Sequence, residues 1–253
     1  MPVTVPGSEP ARFSAPASAH DRVIVALDVP GAEQALGLAE RLNGLIQWFK
    51  VGLELYVSEG NAIVEMLRTR GYSVFLDLKL HDIPNTVAGA VRSASRAGVQ
   101  MLTVHAGGGP AMLSAAAGAA ASMPNAPQLL AVTVLTSMDQ PQLAAVGISG
   151  SPPNRVLDQV LRLAHMGWQS GIRGFVSSAE ELSVMRQTFP EATLVIPGIR
   201  PAGAVAADQK RVATPAAAIA AGADYLVIGR PITQAPDPAA AAAAILAEIE
   251  ATS

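Results

Sequence analysis

The chain has 253 residues, half of them hydrophobic and 15% charged, which suits a soluble protein with a sizeable core in one large or two small domains. Its net charge of −3 argues against a broad electrostatic footprint for nucleic acid or an anionic membrane, although a few well-placed groups can still hold one phosphate. With no cysteine, disulfides, thiolate metal sites and cysteine nucleophiles are excluded.

In chain order, "MPVTVPGSEPARFSAPASAH" is rich in Pro, Ser and Ala and lacks the apolar centre of a secretory signal. Residues 1–21 are therefore expected to form a flexible extension. From residue 22 onward, short β-branched apolar runs alternate with stretches of helical spacing. Strands are expected at 22–28 ("RVIVALD"), 46–52 ("IQWFKVG"), 73–79 ("SVFLDLK") and 99–106 ("VQMLTVHA"). Four more are expected at 129–136 ("LLAVTVLT"), 172–178 ("IRGFVSS"), 193–199 ("TLVIPGI") and 224–230 ("DYLVIGR"). Their nearly continuous apolar character fits strands buried on both faces. The intervening "GAEQALGLAERLNG", "EGNAIVEMLRTRG" and "PNTVAGAVRSASRAG" read as helices that stop at Gly.

Eight strands alternating with helices point to a single-domain parallel (β/α)8 barrel over residues 22–253. A doubly wound open sheet is the runner-up and normally has fewer strands. The long fifth connection, "TSMDQPQLAAVGISGSPPNRV", calls for an extra short helix, and "RPAGAVAADQKRVATP" for a long loop after strand seven. The Ala-rich "DPAAAAAAILAEIEA" reads as the closing helix. No apolar run approaches the roughly 18 residues of a membrane span, so a cytoplasmic protein is expected.

A barrel places its reactive groups at the C-terminal ends of its strands. Asp28, Lys50, Asp77, Lys79, Thr136, Ser137, Arg200, Gly229 and Arg230 all fall at or just past such ends. Asp77 and Lys79, two apart on a strand, face the same way, with Leu76 and Leu78 facing the helices. The plainer reading of that pair is an ordinary buried salt bridge. Lys50 on the neighbouring strand weighs against it, because lysines and aspartates can then form an alternating chain poised against a charged substrate. The turn "VIGRPIT" offers backbone N–H groups and the Arg230 fork where barrels often bind phosphate, and Gln209 could close over the same anion. A surface arginine beside a turn is the plainer alternative. "HAGGGP" lacks the spacing of a nucleotide loop and reads as a strand-to-helix turn. His20, His81, His105 and His165 show no close metal-ligand spacing, and His105 reads as a supporting residue. No metal site is indicated.

Six motifs together resemble the orotidine 5′-monophosphate decarboxylase family. They are "VALD" (25–28), "FKVG" (49–52), "FLDLKLHDIPNT" (75–86), "AVTVLTSM" (131–138), "PGIRP" (197–201) and "ADYLVIGRPIT" (223–233). They follow the family's order across residues 22 to 250. The departures are mild, with Leu80 where an aromatic is common and Ile196 where Thr is common. The resemblance implies conversion of orotidine 5′-monophosphate to uridine 5′-monophosphate and CO2, the last step of de novo pyrimidine synthesis, without metal or organic cofactor. It implies Lys79 as proton donor and Asp77 against the substrate carboxylate. Lys50 would position Asp77 and contact the ribose, and Asp28 would hold a ribose hydroxyl. Asp82, with Ile83 and Thr86, would reach into a neighbouring subunit's site, making a homodimer with shared active sites. Thr136 and Ser137 would bear on the pyrimidine and its loop. Pro197, Arg200, Gln209, Gly229 and Arg230 would bind the substrate, chiefly through its phosphate. A magnesium-dependent sugar-phosphate decarboxylase or epimerase on the same barrel, and a non-catalytic phosphoribosyl-ligand binder, remain as alternatives.

Overall fold

The structure, a computed structural model, describes residues 16–148, 155–201 and 213–252. Eight parallel strands close on themselves in sequence order: β1 (Val23–Ala26), β2 (Trp48–Val51), β3 (Ser73–Leu80), β4 (Met101–His105), β5 (Gln128–Val132), β6 (Gly174–Val176), β7 (Thr193–Ile196) and β8 (Tyr225–Ile228). The seam is a pairing of β1 with β8, Val23 opposite Leu226 and Val25 opposite Ile228. The expected (β/α)8 barrel is therefore the architecture, and the open-sheet alternative is overturned by that closing pair. The strands are mostly shorter than expected, because several polar residues assigned to their ends lie just beyond the last ladder bond.

Strand alternation divides the apolar residues into two cores. Ile24, Ala26, Trp48, Phe75, Met101, Leu130, Val195, Tyr225 and Val227 fill the barrel interior. Their neighbours Val25, Phe49, Val74, Leu76, Leu102, Ala131, Phe175, Leu194, Leu226 and Ile228 face the helical layer. This period of two explains why both faces of each strand read as apolar. Trp48 and Tyr225 meet edge to face inside, with ring centroids 5.6 Å apart.

The helical layer comprises α1 (Ala19–Arg22), α2 (Ala32–Arg41), α3 (Leu53–Glu59), α4 (Asn61–Thr69), α5 (Pro84–Ala97), α6 (Gly109–Ala121), α7 (Gln140–Ala145), α8 (Arg155–Gln169), α9 (Leu182–Thr188), α10 (Pro215–Ala220), α11 (Arg230–Thr233) and α12 (Pro238–Glu250). Helix α5 shows the local logic. Proline opens it, Val87, Ala88, Val91, Ala94 and Ser95 face inward, and Gly98 ends it at φ 72° with its N–H on the Ala94 and Ser95 carbonyls. A Cβ at Gly98 would also meet the Arg68 guanidinium at 2.4 Å. The extra helix expected after β5 is α7, opened by a reciprocal capping box between Asp139 and Gln142. "HAGGGP" forms the expected strand-to-helix turn, a short 3-10 segment leading into α6.

The expected extension over 1–21 lies mostly outside the described residues. Its last part is ordered: Ser18 caps α1, α1 packs on α12, and His20 Nδ1 bonds the Leu45 carbonyl at 2.9 Å. Within that stretch Ala19 is buried and adds to the core.

Candidate active site

Following each inward row one step toward the strand C-termini leads from the apolar interior into a cavity of about 440 Å³. Beyond Ala26 comes Asp28, beyond Trp48 comes Lys50, and beyond Phe75 comes Asp77. The same step from Leu130, Val195 and Val227 reaches Val132, Pro197 and Gly229. The period that builds the core therefore also builds the mouth.

The charges there form a continuous chain. Lys50 Nζ donates to Asp28 Oδ1 at 2.9 Å and lies 3.7 Å from Asp77 Oδ2. Lys79 Nζ donates to Asp77 Oδ1 at 2.9 Å and Oδ2 at 3.0 Å. Lys50 is buried and Asp77 nearly so, whereas a third of the Lys79 side chain stays open. Arg200 and Arg230 line the same cavity. Two carboxylates against two ammonium and two guanidinium groups leave a net charge of two positive, on a chain that is itself negative. Such a mouth attracts an anion.

Lys79 is the backbone exception. Its φ of 49° is left-handed, the only such non-glycine among the described residues, at a cost of about 1–2 kcal/mol. The β3–β4 register explains it. Leu76 pairs with Leu102 and Leu80 with Val104, so three residues of β3 oppose Thr103 alone. The simple alternation expected for Asp77 and Lys79 therefore breaks at this bulge, although both side chains still meet in the cavity. Thr103 was not singled out from sequence. Its hydroxyl accepts from the Lys79 N–H at 2.8 Å and donates to Asp77 Oδ1 at 3.0 Å. The available signal was a polar residue at an inward position of an apolar strand. Ser177 was also missed. It lines the cavity, with a buried hydroxyl that has no hydrogen-bond partner among the described residues.

His105 closes the row behind Thr103. It stacks on His81 with centroids 5.2 Å apart, and its Nδ1 accepts from the Gly107 N–H at 3.0 Å. Burial, then His81 and Lys79, push its pKa below the ordinary imidazole value.

Of the residues singled out from sequence, Asp28, Lys50, Asp77, Lys79, Thr136, Pro197, Arg200, Gly229 and Arg230 line the cavity. Arg230 opens α11 rather than ending β8, and Gly229 is its cap. Arg200 is buried and donates from Nη1 to the Ile199 carbonyl at 2.8 Å. Ser137 is exposed and does not line the cavity. Asp82, Ile83 and Thr86 are likewise exposed and outside it, and the Ile83 N–H donates to Asp82 Oδ1 at 2.6 Å. Gln209 lies outside the described residues. The carboxylates of the cavity are engaged by lysines, so a cation bound between Asp28 and Asp77 would have to displace Lys50.

Comparison with known proteins points to one family. The family model described as "Orotidine 5'-phosphate decarboxylase / HUMPS family" matches residues 21–245. A protein of Nitrosococcus oceani named orotidine 5'-phosphate decarboxylase is 52% identical over 229 residues, covering 90% of this chain and 97% of its own. A protein of the same name from Halorhodospira halophila is 53% identical over 231 residues, covering 91% and 96%. The crystal structure of orotidine 5'-phosphate decarboxylase from Lactobacillus acidophilus superposes with a TM-score of 0.78 at 37% identity, covering 90% of this chain and 98% of that one. With its barrel closed, its charged chain in the mouth and relatives matched over nearly their whole length, the chain belongs to the orotidine 5′-phosphate decarboxylase / HUMPS family.

Proposed function

We propose that this protein decarboxylates orotidine 5′-monophosphate to uridine 5′-monophosphate and CO2, the final step of pyrimidine nucleotide synthesis, without metal or organic cofactor. The observation that carries the reading is the Asp28–Lys50–Asp77–Lys79 chain in a cavity that also holds Arg200 and Arg230. The bond between the ring carbon and the carboxylate breaks, leaving its electron pair on that carbon. The Lys79 ammonium stabilises this developing charge and then donates a proton to it, and solvent restores the lysine. Fixed charge of this kind acts most strongly where water is excluded. Asp77 fixes the ammonium and lies against the departing carboxylate, while Lys50 fixes Asp77 in turn. Asp28 and Lys50 hold the ribose, and Thr136 and Ser137 serve the pyrimidine and its loop. Pro197, Arg200, Gln209, Gly229 and Arg230 serve the phosphate end, whose binding energy supports the reaction at the far end of the ligand.

The test is the absorbance change of orotidine 5′-monophosphate on adding the purified protein in excess EDTA. Turnover at an unchanged rate supports the reading. No turnover with or without magnesium overturns the reading in favour of a sugar-phosphate enzyme or a non-catalytic binder on the same barrel, and turnover restored only by magnesium overturns its metal independence.

The working unit in this reading is a homodimer, with Asp82, Ile83 and Thr86 completing the partner's site. Support comes from exposed apolar side chains at one end of the barrel. Ile83 is 67% exposed after β3, and Leu53 and Val57 are 55% and 81% exposed after the adjacent β2. Mixing Lys79→Ala and Asp82→Ala proteins should regenerate activity in hybrid dimers. A mixture that stays inactive after proven subunit exchange argues against the shared site. A cytoplasmic location fits this chemistry, and no helix among the described residues is long and apolar enough to cross a membrane. Fractionation of expressing cells checks it.

A further inference from the structure

The bulge in β3 raises a question of backbone accounting. A strand residue normally places its N–H on a neighbouring strand, and a buried N–H left unpaired is costly. Where three residues of β3 pass a single residue of β4, one set of ladder bonds is lost. The Lys79 N–H instead meets the Thr103 hydroxyl at 2.8 Å, and the same hydroxyl donates its proton to Asp77 Oδ1 at 3.0 Å. Thr103 is fully buried. Its single oxygen therefore bridges the two reactive residues of β3, accepting from the backbone of one and donating to the carboxylate of the other.

We propose that Thr103 is the positioning residue that holds Lys79 in its left-handed backbone conformation and fixes Asp77 beside it. Three observations converge on this. Lys79 adopts a backbone state that a lysine leaves readily unless its surroundings hold it. The hydroxyl supplies the bond that the ladder lacks. Asp77 Oδ1 receives the Thr103 hydroxyl and the Lys79 ammonium together, so the carboxylate cannot rotate without losing one of them. A valine would fill the same space but provide neither bond, and would leave the Lys79 N–H unpaired in the interior.

The inference rests on the decarboxylase reading for its kinetic test but not for its structural one. Thr103→Val should lower kcat on orotidine 5′-monophosphate by about ten- to a hundredfold, with KM changed by less than about threefold. Thr103→Ser, which keeps the hydroxyl, should restore kcat to within about threefold of the parent. Amide hydrogen exchange at Lys79 should accelerate at least about tenfold in Thr103→Val and return in Thr103→Ser. If Thr103→Val does not fold, Thr103→Ala removes the hydroxyl without adding a methyl against the carboxylate and carries the same comparison. A valine or alanine variant with parental kcat and a protected Lys79 amide overturns the proposal. So does a folded serine variant as impaired as the valine one. If the parent protein does not turn over orotidine 5′-monophosphate, the functional reading fails, and exchange at Lys79 still decides the role of Thr103.

Discussion

Two ion pairs of nearly equal length sit at opposite ends of this barrel, and they do different work. At the N-terminal end, Arg186 donates to Asp224 at 2.7 Å and also to the carbonyls of Pro190, Ala192 and Gly222. Asp224 in turn accepts the Leu194 N–H at 2.7 Å. The guanidinium spends its hydrogens on main-chain oxygens, and the carboxylate ties α9 and β7 to the start of β8. At the C-terminal end, Lys79 meets Asp77 at 2.9 Å but keeps a third of its side chain open to the cavity. A saturated pair fastens chain segments together. A pair with one exposed partner can exchange that contact for a ligand. Distance alone does not separate the two; what else each charge touches does.

This contrast can be broken or sharpened experimentally. The largest effect is expected at the open pair. Lys79→Ala should lower kcat at least about a thousandfold while calorimetry finds uridine 5′-monophosphate binding little changed. Retention of a tenth of the parental rate, a loss of only about 1.4 kcal/mol, would refute the role of Lys79 as proton donor. Next, Arg230→Ala should reduce kcat/KM by about a hundredfold, the scale of a lost charge-assisted bond to phosphate. An unchanged kcat/KM would remove Arg230 from the phosphate end. At the saturated pair, Arg186→Ala should cost about 2 kcal/mol of stability, or about 4–8 °C in Tm, with kcat per folded molecule unaltered. A variant with parental Tm and impaired turnover would invert the comparison.

The smallest effect concerns protons. His105 sits behind the open pair with its pKa lowered, first by burial and then by His81 and Lys79. The unfolded chain therefore binds its proton first. This contribution to stability is full above about pH 6.5 and declines as pH falls through that value toward the folded pKa. NMR titration should place His105 below the ordinary imidazole value, and His105→Asn should flatten the Tm profile over that range. An unshifted titration would remove this dependence.

The strand pattern was legible because a barrel repeats one simple rule, and each strand carries enough apolar residues to display it. Lys50, Asp77 and Arg230 were legible because they interrupt that rule at its upper end. The bulge at Lys79 was not, since it is set by the register of β3 against β4 and no local feature of "DLKL" announces it. Thr103 was hidden for the same reason. A threonine inside "MLTVH" is an ordinary strand residue until the strand opposite is known. Helix α3 also escaped the reading: the helical stretch "EGNAIVEMLRTRG" corresponds to α4, and Gly60, at φ 59°, parts it from α3. Ser177 carries no signature beyond its place at the end of β6.

The seam between β1 and β8 has a consequence for synthesis. The cavity residues that the proposed reading assigns to the two ends of the ligand come from opposite ends of the gene product: Asp28, Lys50, Asp77 and Lys79 from the first third, Arg200 and Arg230 from the last. A ribosome-bound chain can hold every ammonium and carboxylate of the chemistry and still have no grip on a phosphate. In the proposed reading that grip needs Arg230, made just after the closing strand β8, so the phosphate end is the last part of the site to be synthesised.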